Sequence, residues 1–130
     1  EGNGGIIFPE LHYGRDALVG VALFLSLLTD KNISVSALRK SYPAYYMSKN
    51  KIELSAGLNP DKVLAAIKER YAHEPITTID GVKIDFANSW VHLRKSNTEP
   101  IIRIYTEAKS QEEADALAQR FLEEMKELAN

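Results

Sequence analysis

The stretch that decides the fold is VKIDFANSWVHLRKSNTEPIIRIYTE, residues 82–107. Val82, Ile84 and Phe86 alternate with Lys83 and Asp85, and Ile102, Ile104 and Thr106 alternate with Arg103, Tyr105 and Glu107. A period of two is the pattern of a strand with one face buried. Between these runs, Asn88-Ser89 reads as a turn and residues 90–94 as a third strand. The connections are too short to hold a crossover helix, so consecutive strands must be antiparallel neighbours.

Working outward, residues 77–79 and 82–84 flank Asp80-Gly81, a two-residue hairpin signal. Residues 44–54 read as an extended, weakly alternating strand. Asn59 followed by Pro60 starts a helix, a cap residue and then proline at the first helical position. Val63, Leu64, Ile67 and Tyr71 recur at helical spacing, and Pro75 closes the element. Downstream, Ser110-Gln111-Glu112-Glu113 is a capping box that opens a second helix. It carries Ala114, Leu117, Ala118, Phe121, Leu122, Met125 and Leu128 on one face. The order predicts an α+β domain over residues 43–130: a four-stranded, mainly antiparallel sheet with two helices on one face.

Residues 1–42 have a different texture. The run ALVGVALFLSLL, residues 17–28, is twelve residues long, too short for a bilayer, which needs about 20. It lacks the basic start and small-residue cleavage site of a signal peptide. It reads as a helix covered on most sides by other protein, with no obvious covering partner downstream. Residues 1–9 read as a loop leading into a short strand, and 34–42 as a short helix that Pro43 ends. Glu1 stands where an unprocessed chain carries Met, which points to a processed protein or an excised piece of a longer one.

The 130 residues carry 16 Lys and Arg against 18 Asp and Glu, a net charge of −2. That lacks the basic footprint of nucleic-acid or anionic-membrane binding. The absence of Cys removes disulfides, thiolate metal ligands and a cysteine nucleophile, and fits the cytoplasm. His12, His73 and His92 lie far apart in sequence without metal-binding spacing, so no metal site is expected. No serine has a recognisable nucleophile setting, and Glu112, Glu113, Glu123, Glu124 and Glu127 read as a solvated helix face. Arg15-Asp16 reads as a cap or an ion pair.

Two segments could carry chemistry. Residues 94–103, RKSNTEPIIR, bracket two hydroxyls and an amide with two guanidiniums. A phosphate dianion is held by bidentate Arg forks, neutral donors and the concave amides of a loop. The same composition also fits a polar β-turn with local side-chain-to-backbone bonds. Glu1-Gly2-Asn3-Gly4-Gly5 allows close backbone approach to a ligand, with a carboxylate and an amide suited to sugar hydroxyls. It equally fits a flexible terminus.

Together these segments resemble the α-D-phosphohexomutase superfamily. Arg94-Lys95-Ser96-Asn97-Thr98-Glu99-Pro100 is similar to that family's carboxy-terminal phosphate-binding loop, and Glu1-Gly2-Asn3-Gly4-Gly5 to the sugar-binding loop of its third domain. The resemblance implies that Arg94, Ser96, Asn97, Thr98 and Arg103 hold substrate phosphate, and that Glu1 and Asn3 bind sugar hydroxyls. It further implies that residues 1–42 are the helical remnant of an α/β third domain and that 43–130 form the phosphate-binding fourth. Such enzymes move phosphate between C6 and C1 of a hexose through a bisphosphate intermediate, using a phosphoserine and Mg²⁺. Neither loop that supplies these matches anything here. The fragment is therefore expected to be inactive by itself, with no catalytic residue, and to need the upstream domains and a phosphohexose as partners. The phosphoglucomutase/phosphomannomutase reading is preferred over phosphoglucosamine mutase. A different class, a non-catalytic α+β interaction domain, stays open on the residues alone.

Overall fold

A computed structural model describes residues 4–53 and 59–128. The chain divides into two units, Glu1–Pro43 and Ala44–Asn130. The second unit is built on five strands: β1 (Tyr46–Glu53), β2 (Ile76–Thr77), β3 (Val82–Asp85), β4 (Trp90–Lys95) and β5 (Ile101–Ala108). Their order in the sheet is β1-β5-β4-β3-β2, and all four pairings are antiparallel.

Alternation sorts the side chains. Val82, Ile84, Val91, Leu93, Ile102 and Ile104 are buried on one face, with Ile52 from the edge strand β1. Two helices, Pro60–Arg70 and Gln111–Leu128, cover that face with Val63, Leu64, Ile67, Phe121 and Met125. Burying a side chain of this size contributes roughly 1.5–3 kcal/mol, so the shared core dominates the energetics. Among the described residues the buried polar side chains are Ser48, whose Oγ accepts from Asn50 Nδ2 at 2.9 Å, and Thr106. Thr106 is fully buried, and its Oγ1 donates to the Ala114 carbonyl at 2.7 Å, so no buried side-chain polar atom is stranded among the described residues. The helix starts are those expected from the caps. Asn59 Oδ1 accepts from the Asp61 amide at 2.9 Å, and Ser110 Oγ from the Glu113 amide at 3.2 Å.

The sheet has five strands where four were expected. The additional edge strand is β2, and the strand expected over 77–79 forms one residue earlier and shorter, as Ile76–Thr77. Ile76 pairs with Ile84 and Thr77 with Lys83, so the connection to β3 is the four residues 78–81 and not a two-residue Asp-Gly turn. Packing decides this: Ile76 joins the core, whereas Ile79 is left 94% exposed.

The first unit contains two helices, numbered here α1 (Ala17–Lys31) and α2 (Val35–Ser41), which makes the helices of the second unit α3 and α4. The strand expected after the glycine-rich start is absent among the described residues; only a Phe8–His12 bridge is present. The Leu11 and His12 amides both donate to the Phe8 carbonyl, turning the chain back at once. Asp16 caps α1 by accepting from the Val19 amide at 2.9 Å. That bond, with a second from His12, holds the Asp16 carboxyl below the usual aspartate range. Gly14 N–H donates to His12 Nδ1, which leaves Nε2 to donate to Asp16. No residue of α1 is buried, and Leu18, Val21, Leu23, Phe24 and Leu25 are exposed. Among the described residues no single helix is long and apolar enough to cross a membrane; α1 and α2 reach that composition only as a pair bent by 86°.

Tyr71, at the end of α3, stacks near Phe121 and donates to Glu124 at 2.6 Å. Burial and that bond push its phenol up to about 12. Below pH 10 the phenol is protonated in folded and unfolded chains alike. Between pH 10 and about 12 only the unfolded chain ionises, so stability falls across that window. Urea unfolding across that window is expected to show a steeper loss for the wild type than for Tyr71→Phe.

Candidate functional site

The β4–β5 hairpin sets the site. Arg94 and Arg103 are direct cross-strand partners, and both occur on the sheet face away from the helices, half-buried. On the other side of β5, Lys51 of β1 lies opposite Arg103. Three cations thus stand side by side across three strands. Like charges directly opposite one another destabilise a sheet, so the row is unfavourable without anions. Some relief is local: Arg94 Nη1 donates to Asp80 Oδ2 at 2.9 Å, and Lys51 is 3.6 Å from Glu53.

The connection from β4 to β5 is closed by the Ser96 amide donating to the Ile101 carbonyl at 3.0 Å and the Ile101 amide to the Glu99 carbonyl at 2.8 Å. Ser96 Oγ lies 3.4 Å from both Thr98 Oγ1 and the Thr98 amide. Lys95, one residue on from Arg94, points the other way and takes both carboxylate oxygens of Asp61 at 2.7 and 2.9 Å. Alternation therefore divides the two adjacent cations, sending one to an ion pair at the start of α3.

A cavity of about 600 Å³ opens at this end of the sheet, lined by Arg94, Ser96, Asn97, Thr98 and Arg103. All five residues expected at a phosphate are brought to one concavity. Glu1 and Asn3 lie outside the described residues. The far wall had not been anticipated: Thr78, Asp80 and Gly81 of the β2–β3 turn, with Asp61 and Lys68 of α3, also line the cavity. The turn's part was hidden because Asp-Gly reads only as a chain reversal. Lys51 was hidden because the β1 register is not written in a weakly alternating strand. Among the described residues no three His, Asp or Glu side chains cluster to hold a metal. The cavity's own carboxylates, Asp61 and Asp80, each bond a cation, so this donor set does not fit Mg²⁺.

The family described as phosphoglucomutase/phosphomannomutase, C-terminal domain, matches residues 51–124, which include the whole cavity. The chain belongs to this family. Among curated relatives, the phosphoglucosamine/phosphogalactosamine mutase of Sulfurisphaera tokodaii is 42% identical over 119 residues, covering 90% of this chain and 26% of that protein. The phosphoglucomutase/phosphomannomutase of Thermococcus kodakarensis is 38% identical over 115 residues, covering 88% and 25%. This mutase-family chain therefore spans about a quarter of the length of these relatives. Its fold is shared with a phosphoglucomutase/phosphomannomutase family protein of Burkholderia thailandensis, at TM-score 0.66 and 23% identity over 97% of this chain and 28% of that one. It is also shared with the N-acetylphosphoglucosamine mutase of Aspergillus fumigatus, solved with GlcNAc-6P and magnesium, at TM-score 0.59 and 20% identity over 89% of this chain and 22% of the other.

Gly81 is where the mutase-family cavity depends on backbone geometry. Its φ is +78°, and a Cβ there would meet the Leu93 carbonyl oxygen at 2.2 Å. Gly81→Ala adds that clash to a left-handed conformation worth roughly 1–2 kcal/mol. A loss of about 2 kcal/mol or more is expected in urea unfolding, against less than about 0.5 kcal/mol for Thr78→Ala on the exposed part of the same turn.

Proposed function

We propose that this chain is the phosphosugar-binding C-terminal part of a phosphohexomutase, an enzyme that moves phosphate between C6 and C1 of a hexose. The observation that carries the reading is the Arg94–Arg103 cross-strand pair at the mouth of the 96–98 loop, two guanidiniums and two hydroxyls around one concavity. Planar guanidinium forks match the oxygens of a phosphate dianion and, unlike ammonium groups, present paired donors. Ser96, Asn97 and Thr98 add neutral donors from side chain and backbone. Each charge-assisted bond is worth roughly 1.5–3 kcal/mol, so two forks and a loop suffice to grip one phosphate.

In this reading the residues act on the phosphate that is not being transferred. Holding the distant end fixes the reacting end and supplies binding energy that the transfer step uses. No residue of this chain takes part in bond breaking. The phosphoserine and the Mg²⁺ that polarises the transferring phosphoryl group belong, on the family resemblance, to upstream domains of the same protein, acting in the cytoplasm. Residues 1–42 are read as the end of the third domain, 43–130 as the fourth. Glu1 and Asn3 complete the reading as ligands of the sugar hydroxyls, and the exposed apolar side chains of α1 as the surface that the rest of the third domain covers.

Two substrate readings stand. The phosphoglucomutase/phosphomannomutase assignment is supported by the relative from Thermococcus kodakarensis. The phosphoglucosamine assignment is supported by the relatives from Sulfurisphaera tokodaii and Methanopyrus kandleri, the latter 35% identical over 124 residues. Relative turnover of glucose 1-phosphate, mannose 1-phosphate and glucosamine 1-phosphate by the full-length parent separates them.

Titration of the 130-residue chain with glucose 1-phosphate, followed by NMR, tests the binding site. The Ser96, Asn97 and Thr98 amides are expected to shift, and Arg94→Ala to weaken binding by about tenfold or more. Shifts confined to the helices, or none at millimolar ligand, would favour the non-catalytic interaction domain. In a coupled assay, the chain alone is expected to show no mutase turnover.

A further inference from the structure

We infer that Asp80 is a positioning residue that holds the Arg94 guanidinium in its phosphate-binding orientation, an inference that rests on the phosphate reading of the cavity. The β2–β3 turn is fastened to three consecutive residues of β4. His92 Nε2 lies 2.5 Å from the Asp80 carbonyl oxygen. Gly81 sits so close to Leu93 that a Cβ would fall 2.2 Å from its carbonyl oxygen. Arg94 Nη1 donates to Asp80 Oδ2 at 2.9 Å. The backbone from the Asp80 carbonyl into Gly81 is therefore held against the strand that carries Arg94.

This separates Asp80 from an ordinary surface partner. An exposed pair contributes little to stability, because two mobile side chains must be ordered to form it. Here the carboxylate starts from an anchored turn, and the guanidinium starts from the middle of a sheet. Arg94 also faces Arg103 across the hairpin, and repulsion between them would drive the two forks apart. The Asp80 carboxylate, on the β3 side of β4 and so on the far side from Arg103, offsets part of this positive charge, gives the Arg94 fork a fixed partner and selects one rotamer before ligand arrives. Ordering the fork in advance removes a cost that binding would otherwise carry.

The opposing effect is repulsion between Asp80 and a phosphate dianion, and the two predict opposite signs. Inorganic phosphate is the probe, titrated into the 130-residue chain by NMR, with thermal melting of each variant. Asp80→Ala is expected to weaken phosphate binding about 3–10-fold, and to broaden the Arg94 Nε–H resonance. Asp80→Asn keeps an acceptor oxygen, and is expected to lose about half as much on a logarithmic scale and to keep the Arg94 resonance sharper. Binding that is unchanged or tighter in either folded variant would overturn the inference, since repulsion would then be the role of Asp80. Should Asp80→Ala not fold, Asp80→Asn decides by the same sign. Arg94→Ala separates the two layers. If it weakens phosphate binding while both Asp80 variants do not, only the positioning role falls. If it leaves phosphate binding unchanged, the cavity reading falls and takes this one with it.

Discussion

The antiparallel pairing of β4 with β5 is the constraint on which the second unit depends. Leu93 opposite Ile104 and Arg94 opposite Arg103 are consecutive rungs of one ladder. The first rung is fully buried beneath the helices and the second is half-buried on the open face. Side-chain direction in a strand has a period of two, so a one-residue slip on either strand would break both rungs at once. It would drive a guanidinium toward Phe121 and Met125 and lift an isoleucine out of the core. The hydrophobic core therefore sets the register, and the register sets the cation pair. The cavity borrows its precision from packing that has nothing to do with binding.

The cavity wall combines strands, a helix and connections: β4 and β5 supply Arg94 and Arg103, α3 supplies Lys68, and the turns supply hydroxyls and amides. The 96–98 loop and the 78–81 turn meet at this end of the sheet because β3 and β5 flank β4. One wall carries hydroxyls and loop amides, and the other carries Asp80 on a glycine-dependent bend. The open arginine face contrasts with the helix-covered face, where even buried Thr106 finds a carbonyl.

Most of this was legible before any coordinates. The alternation in 82–86 and 102–107, the Asn59-Pro60 start and the Ser110 cap each carry a local physical cause, and each element formed where that cause lies. What failed was decided elsewhere. Residues 77–79 have good strand composition, yet Ile76 reaches the core and Ile79 does not, which moved the strand back and lengthened the turn. The apolar start at Ile6 and Ile7 lacks a neighbouring strand to pair with among the described residues, and the chain folds back through the Phe8 carbonyl. At the cavity, Arg94 to Thr98 could be read because they are contiguous. Lys68 and Asp80 could not, because each comes from a different element, nor could Lys51, which stands beside Arg103 in the cation row.

The amino-acid sequence by itself determined the element types, the antiparallel order of consecutive strands, the caps and the phosphate-suited composition of residues 94–103. These are short-range properties: a period, a cap or a loop composition is complete within about ten residues. Tertiary structure alone decided that Arg103 faces Arg94, that Lys51 extends the row, and that Asp80 reaches the same guanidinium. Those are statements about register and contact between segments up to about fifty residues apart. They follow from burying one face of a five-stranded sheet beneath two helices, a condition that no single segment carries.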